Sequence, residues 1–289
     1  IGNPAYLKTK HQQLIVEDPD SHEIKGEIPV EDIALLLLDH YQITISNQLL
    51  ILLQSRNVVV ISCDQQHLPF ALMQPMYGHT EFSERIKQQL QVSEPLKKQL
   101  WKQTIESKIH NQQLVLQYFE KEHEGIISYK NEVKSGDSTN REGIAAQYYW
   151  KHLFSGFNRE RYGDAPNHML NYGYAILRSI IARALVGSGL LPVMGIFHRN
   201  KYNPYCLADD IMEPYRPFVD KMVCDYIETN GIEKKLSKEA KIHLMQIATH
   251  DVSIDGKKRP LLVAASITTS SLQRCYNGEL KLIRYPILT

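Results

Sequence analysis

Short apolar runs bounded by turn residues dominate roughly the first quarter of the chain. They occupy positions 14–16, 33–38, 58–62 and 68–73, and runs of this length between turn residues favour β-strands. One helix is expected among them at Asn47 to Leu53, because Ser46 can cap its first turn. Residues 74–79 contain a proline and a glycine without periodicity and are predicted to form a linker.

From Thr80 onward the apolar residues recur at helical spacing, with Lys, Glu and Gln between them. Helices are predicted at 82–92, 96–119, 145–154, 167–188, 206–229 and 238–248. The Asp255-Gly256 dipeptide predicts a small hairpin near the end. The whole pattern predicts an α+β fold, with a small N-terminal β-rich domain over 1–75 and a larger all-α C-terminal domain over 76–289.

The composition is that of a soluble globular protein, with 43% hydrophobic and 22% charged residues. The longest apolar stretch, 176–197, contains Arg178 and Arg183, and each arginine would cost about 2.5–3.5 kcal/mol near a bilayer centre. That stretch is therefore predicted to be a buried helix and not a membrane span. The four cysteines form no CxxC pair, which argues against a zinc site and a disulfide framework and fits a cytoplasmic protein. Nothing near residue 1 resembles a secretory signal.

Charge is distributed unevenly although the net charge is only +1. Residues 1–76 carry four Lys or Arg and nine Asp or Glu, a net −5, which leaves +6 for the rest of the chain. A polyanion such as DNA would therefore bind the second part.

Three side chains of the second part stand out as candidate metal ligands: Glu142, His198 and Glu213. A set of carboxylates and an imidazole next to arginines is what divalent-metal chemistry on a phosphodiester needs. Each has a structural alternative. Glu142 fits a capping box with Thr139, and a single histidine after an apolar helix is often structural.

The acidic stretch before two prolines is harder to explain as a solvated surface. Asp210 and Glu213 are three residues apart and would share one helix face, where their like charges repel unless a cation lies between them. Arg216 continues that face and could supply the cation without a metal. Pro214 and Pro217 should bend or restart the helix there.

Several basic, amide and phenol groups nearby suit phosphate or base contacts. Each taken alone can equally be a solvated charge or, for the tyrosines, a packed core residue. The predicted DNA-binding residues are Arg141, Asn171, Tyr172, Arg199, Lys201, Arg216, Lys257, Lys258 and Arg259, with Arg159 and Arg161 as further phosphate contacts. Sequence motifs for a phosphate loop, a zinc protease, a nucleophile elbow and a dinucleotide-binding turn are absent from the chain.

Four linked segments, in this order, resemble one family. They are Gly136-Asp137-x-x-Asn140-x-Glu142, then residues 170–177 (LNYGYAIL), then Ala184-Leu185 to His198, and finally 207–217 (LADDIMEPYRP). The chain is similar in these segments to the CRISPR-associated integrases of spacer acquisition, and most like members from type II systems.

The resemblance implies a metal-dependent DNA endonuclease or integrase that uses Mg²⁺ or Mn²⁺. Its metal ligands and catalytic residues would be Glu142, His198 and Glu213, with Asp210 as an accessory acidic residue. The reaction would join the 3′-hydroxyl ends of short foreign DNA fragments (prespacers) to the repeat array by transesterification. His198 could instead act as a general acid or base.

The resemblance also implies partners and an assembly. The partners are double-stranded DNA, a second copy of the chain, and a small ferredoxin-like CRISPR adaptation protein. A dimer of that small protein would bridge two integrase dimers into a heterohexamer. No membrane partner is expected. Two other functions remain open from the residues. One is a metal-dependent DNase that hydrolyses branched or single-stranded DNA, and the other is a non-catalytic DNA-binding scaffold.

Overall fold

Two compact units make up the chain in the computed structural model, which describes residues 1–76, 78–160 and 163–289. The N-terminal unit is Ile1–Thr80 and the C-terminal unit is Glu81–Thr289. The predicted domain boundary at 75/76 lies close to this division. Tyr77 of the predicted linker and Arg161, a predicted phosphate contact, lie outside the described residues.

The N-terminal unit contains two β-sheets and one helix. The first sheet has the order β3-β2-β1-β5 and the second the order β4-β6-β7. The strands are β1 Ala5–Lys10, β2 Gln13–Glu17, β3 Ile24–Pro29, β4 Leu35–Leu38, β5 Ile43–Ile45, β6 Val59–Cys63 and β7 Pro69–Met73. The helix, α1 Asn47–Ser55, is capped as predicted by Ser46, whose hydroxyl accepts from Leu49 N at 3.3 Å.

One apolar core joins the elements of the N-terminal unit. Leu7 and Leu14 from the first sheet pack with Val60 from the second and with Leu49 and Leu53 of α1. Because alternate strand residues face this core, the outward positions are free to be polar or charged. The unit therefore forms its own core from the short apolar runs of the sequence.

The C-terminal unit is mostly helical within the described residues, so the predicted α+β class with a β-rich first part is confirmed. Its helices are α2 Phe82–Gln91, α3 Glu94–Tyr118, α4 Glu124–Asn131, α5 Arg141–Leu153, α6 Asn167–Gly187, α7 Cys206–Met212, α8 Arg216–Asn230, α9 Lys238–Met245 and α10 Leu261–Tyr276. Strands β8 Asp251–Ile254 and β9 Lys257–Pro260 form the predicted hairpin, with Asp255 and Gly256 at positive φ. None of the described helices is long and apolar enough to cross a membrane.

Two long helices organise this unit. Helix α3 packs against α4, α5 and α8, and α6 packs against α7, α8, α9 and α10. Helices α6 and α8 approach closely at Gly173, where an added Cβ would lie 2.4 Å from Val219 Cγ1. The face that α3 turns inward carries the residues around which the candidate site is built.

Candidate active site

Glu142 lies in the first turn of α5, and its side chain does not take part in capping that helix. The cap is made by Asn140, which accepts from Gly143 N at 3.3 Å, and by Asp137, which accepts from Arg141 N and Glu142 N at 2.8 and 3.0 Å. The capping-box alternative for Glu142 is therefore wrong. Its carboxylate instead accepts from Lys108 Nζ at 2.6 Å.

Glu213 opens a short 3₁₀ turn, Glu213–Tyr215, that separates α7 from α8. The single helix predicted over 206–229 is broken here, because the prolines at 214 and 217 cannot donate backbone hydrogen bonds. Only 4% of Glu213 is exposed. Its Oε1 accepts from Arg216 Nε at 2.8 Å, as the shared-face interpretation predicted, and its Oε2 lies 2.6 Å from Lys108 Nζ.

Lys108, on the inward face of α3, connects the two glutamates. Its ammonium is 2.6 Å from Glu142 Oε1 and 2.6 Å from Glu213 Oε2. One cation therefore holds the two carboxylates close together. The contact with Glu213 is an ion pair. Burial alone would lower the pKa of Lys108, but Glu213 and Glu142 hold that pKa above its usual value.

The same ion pairs act on Glu213. Burial would raise the pKa of this carboxyl, whereas Arg216 and then Lys108 lower it, and the net pKa is below the usual value. The turn that carries Glu213 is fixed beside α3 by Asn111, whose Nδ2 donates to Pro214 O at 2.8 Å and to Pro286 O at 3.0 Å. Lys108 and Asn111 are three residues apart on α3, so one helix face both holds the turn and contacts its carboxylate.

His198 lies in the loop between α6 and α7, as predicted, and that loop is held by Asp210. The fully buried Asp210 carboxylate accepts from Phe197 N at 2.9 Å and from His198 N at 3.2 Å. It also lies 2.5 Å from His198 Nδ1, so a proton on Nδ1 leaves Nε2 with its lone pair. A Cβ at Gly195 would come 2.3 Å from His198 O and 2.9 Å from Asp210 Oδ2, so the loop requires glycine there.

The hydrogen bond to Asp210 raises the pKa of His198 against the opposing effect of burial, with smaller contributions from the charges of Glu213 and Glu142. Burial raises the pKa of Asp210 itself. The ring of His198 meets Trp101 of α3 edge-on, with centroids 5.6 Å apart. Trp101 and Lys108 are two helical turns apart, so His198 and the carboxylate pair lie along one face of α3.

The predicted donors are thus brought into one region but are not arranged as a metal cage. Among the described residues, no three His, Cys, Asp or Glu side chains are placed so that they could hold a metal ion. Glu142 and Glu213 meet at the Lys108 ammonium, while Asp210 faces the His198 loop and not the Glu213–Arg216 pair. As it stands, the arrangement can hold one positive centre between the partly buried Glu142 and the buried Glu213.

Lys108 and Asn111 were not among the predicted site residues. Both lie in the apolar stripe of α3, which buries Trp101, Ile105 and Ile109 completely. A charged residue at such a position is costly unless it is paired. That was the available signal for Lys108, although its partners are distant in sequence.

Some of the predicted DNA-contacting side chains are exposed, and others already have partners within the C-terminal unit. Lys201, Lys257 and Lys258 are exposed, and Arg259 is half-buried on β9. Arg199 is also exposed, although its guanidinium contacts Glu94 at 2.5 Å. These five side chains are accessible to a phosphate backbone.

The other predicted contacts have partners inside the unit. Arg141 pairs with Glu132 at 2.9 Å, Arg216 lies over the Tyr174 ring at 4.7 Å, and Asn171 accepts from Arg159 Nη2 at 2.7 Å. The structure contradicts one prediction, since Tyr172 is 0% exposed and packs in the core instead of facing DNA.

Comparison with known proteins places these features in a family. The family model described as CRISPR associated protein Cas1 matches residues 1–250. The CRISPR-associated endonuclease Cas1 of Neisseria meningitidis serogroup C (strain 8013) is 34% identical over 276 residues, which cover 94% of this chain and 90% of the relative.

Two solved structures share the fold at lower identity. A casposase bound to an integration product has a TM-score of 0.81 and 19% identity, covering 96% of this chain and 90% of the casposase chain. A chain of a Cas6-RT-Cas1–Cas2 complex has a TM-score of 0.73 and 21% identity, covering 97% of this chain and 34% of that one. The resemblance seen in the four linked segments is confirmed, and the chain belongs to the Cas1 family of CRISPR-associated proteins.

Proposed function

We propose that this chain is a metal-dependent DNA integrase of CRISPR adaptation, with Glu142, Glu213 and His198 as its catalytic residues. It would join the 3′-hydroxyl ends of short foreign DNA fragments to the repeat array. The observation that carries the proposal is the convergence of two carboxylates on a single cation, the partly buried Glu142 from α5 and the buried Glu213 from the turn before α8. Family membership makes the chain a DNA endonuclease or integrase, and its Neisseria relative is named an endonuclease.

The chemistry of the donors fits Mg²⁺ or Mn²⁺. Carboxylate oxygens are the ligands these hard cations prefer, and the Glu142 and Glu213 oxygens already face one positive centre. His198 Nε2 would be the third donor, since Nδ1 is taken by Asp210. When bound, the ion would polarise a phosphodiester oxygen and stabilise the leaving oxygen.

The residues themselves would orient the DNA and handle its charge. A 3′-hydroxyl oxygen attacks phosphorus while the bond to another 3′-oxygen breaks, so the number of phosphodiester bonds is unchanged and no ATP is needed. His198 Nε2 would accept or deliver the hydroxyl proton if it is not a ligand. Asp210 would fix the tautomer and direction of that imidazole.

Exposed basic side chains would hold the DNA backbone. Arg199 and Lys201 follow His198 directly in its loop, and Tyr202 beside them is 81% exposed with Lys201 Nζ 4.8 Å from its ring centroid. The hairpin residues Lys257, Lys258 and Arg259 would supply a second phosphate contact. Arg141, Arg216 and Asn171 already have partners, so they would act by orienting neighbours as much as by touching DNA.

The assembly is proposed to follow the charge division along the chain. The acidic N-terminal unit would serve dimerisation and the small ferredoxin-like partner, and the basic remainder would bind DNA. Support comes from a structural neighbour that is a chain of a complex containing Cas2. Light scattering of the chain with and without the small partner would test the dimer and the heterohexamer.

Hydrolysis at the same site is the second candidate function, favoured by the name endonuclease of the Neisseria relative. Water would then replace the 3′-hydroxyl as nucleophile, and the side chains would be the same. A strand-transfer assay separates the two, because joined and nicked products differ in length. The strand-transfer assay contains the protein, a short duplex with 3′-hydroxyl ends, a repeat-containing plasmid, the small partner and Mn²⁺ or Mg²⁺.

The decisive variant is Glu142→Gln, which keeps the shape of the side chain and removes its charge. We expect joined product from the wild type and from Glu279→Gln, an exposed glutamate paired with Arg274, but not from Glu142→Gln, which should still bind DNA. Nicks without joined product would favour the hydrolase. Equal product from Glu142→Gln would favour a scaffold role for this glutamate, and no product from any protein would overturn the proposal.

A further inference from the structure

Lys108 is a buried ion in a site that would also receive a divalent cation. Only 8% of the residue is exposed, and its ammonium lies 2.6 Å from Glu142 Oε1 and 2.6 Å from Glu213 Oε2. A buried ammonium is tolerated when it is paired, and here it is paired twice. Lys108 therefore already performs the neutralisation that a metal ion would perform.

Charge in this cluster is balanced without a metal. Two carboxylates, Glu142 and Glu213, face two cations, Lys108 and Arg216. A divalent ion added to the same oxygens would leave an uncompensated double positive charge, and at contact distance it would repel the ammonium strongly in a poorly solvated site. Arg216 can stay because it holds the other oxygen of Glu213, Oε1.

Lysine is suited to leave such a site. Its charge is at the end of a flexible four-carbon stem, whereas the arginine guanidinium is planar and fixed by its geometry. The ring of Tyr174 below Arg216, 4.7 Å from the guanidinium carbon, fixes that cation further. The two cations on Glu213 thus differ in how easily they move.

We propose that Lys108 is a resident cation that competes with the divalent metal for Glu142 and Glu213 and leaves the carboxylates when the metal binds. This inference rests on the proposed function, since it needs the metal site to exist. Without metal, Lys108 keeps the two carboxylates together in spite of their like charge. Because Lys108 must be displaced, metal binding needs a higher metal concentration than the donors alone would require.

The test compares metal affinity and thermal stability of Lys108→Met with those of the wild type. Lys221→Met is the matched control, because Lys221 is equally buried at 7% and pairs with Asp225 at 2.8 Å, away from the candidate ligands. Lys108→Gln is a second neutral variant that can still donate to a carboxylate. Mn²⁺ binding is measured by calorimetry, and the melting temperature is recorded with and without Mn²⁺.

We expect the Kd for Mn²⁺ to fall about tenfold in Lys108→Met, equivalent to about 1.4 kcal/mol, and to fall in the same direction in Lys108→Gln. The melting temperature without metal should drop, because Glu142 and the buried Glu213 lose the cation they share, and the rise on adding Mn²⁺ should exceed that of the wild type. Lys221→Met should bind Mn²⁺ as the wild type does.

An unchanged or weaker affinity in both Lys108 variants would overturn the inference. Glu213→Gln distinguishes that failure from failure of the metal site. If Mn²⁺ binds the wild type and Lys108→Met equally and binding is lost in Glu213→Gln, the metal site stands and the competition by Lys108 falls. If none of the proteins binds Mn²⁺, both proposals fall.

Discussion

Asp210 and Glu213 are buried carboxylates one helical turn apart in sequence, but they are satisfied in different ways. Asp210 accepts from two backbone N–H groups and lies against the His198 ring, whereas Glu213 pairs with two side-chain cations of the described residues, Arg216 and Lys108. Backbone donors cannot leave without unfolding the loop, while side-chain cations can be exchanged. In the proposed function, Asp210 would therefore position the site, and Glu213 would be the carboxylate available to a metal.

Removing the charge of Glu213 should affect activity most. Glu213→Gln should lower strand transfer or cleavage by about 10²- to 10³-fold, the range typical of removing one group that stabilises transition-state charge. DNA binding and the fold should remain, because glutamine keeps the volume and can still accept from Arg216. Single-turnover assays with a DNA-binding titration measure both. Activity within a few-fold of the wild type would place Glu213 among structural residues.

Asp210→Asn should act through stability first. An asparagine has one acceptor oxygen, so some of the three donors now bound to Asp210 would be left buried without an acceptor, at about 2–3 kcal/mol in total. Denaturant unfolding measures the loss. Asp255→Asn, an exposed aspartate paired with Arg284, is the control and should change stability by less than about 0.5 kcal/mol. A stable Asp210→Asn protein would remove the proposed difference between the two carboxylates.

A third buried carboxylate, Asp220, is held by neutral phenol groups, and it should make stability depend on pH. Asp220 accepts from Tyr174 OH at 2.5 Å and Tyr149 OH at 3.0 Å, and burial raises its pKa to about 6 against these hydrogen bonds. Because this folded-state pKa exceeds that of the unfolded chain, the stabilising effect of the bound proton is present at low pH and is lost as pH rises through about 6.

Asp220→Asn should therefore gain stability relative to the wild type by roughly 1–2 kcal/mol between about pH 5 and about pH 8. Urea unfolding of both proteins across that range gives the difference directly. If the free energies of unfolding of the two proteins changed in parallel with pH, the Asp220 carboxyl would titrate near its usual pKa, and the phenols would compensate its burial.

The smallest effect concerns exposed charge. Lys257→Gln should weaken DNA binding by a few-fold and reduce the slope of log Kd against log salt by about one, with no change in stability. Lys25→Gln in the N-terminal unit, paired with Glu23, should leave both unchanged. An unaltered salt slope for Lys257→Gln would remove the hairpin from the proposed DNA surface.

The fold was predictable where periodicity is strong. The spacing in α3 and α6 placed those helices within a few residues of their observed ends, and Asp255-Gly256 located the hairpin. Helix α10, Leu261–Tyr276, was not predicted, and it contains several β-branched residues, which have low helix propensity. Its burial against α6 and α2 stabilises it instead.

The candidate site was predictable only in part. The linked segments indicated Glu142, His198 and Glu213 as candidates, which stay predictions, and the prolines indicated the break before α8. Lys108 was missed because its partners come from α5 and from the Glu213 turn, and such pairing depends on how helices pack. Tyr172 was placed wrongly because a tyrosine suits a base-stacking surface and a buried helix face equally well.

The anomalous difference map of crystals of this chain grown in saturating Mn²⁺ would show directly whether Glu142 and Glu213 bind a metal ion. We expect a single strong peak bonded to the carboxylates of Glu142 and Glu213, with the Lys108 ammonium moved away from both and Arg216 still on Glu213. A map with no peak at these carboxylates, and with Lys108 still 2.6 Å from each, would contradict it.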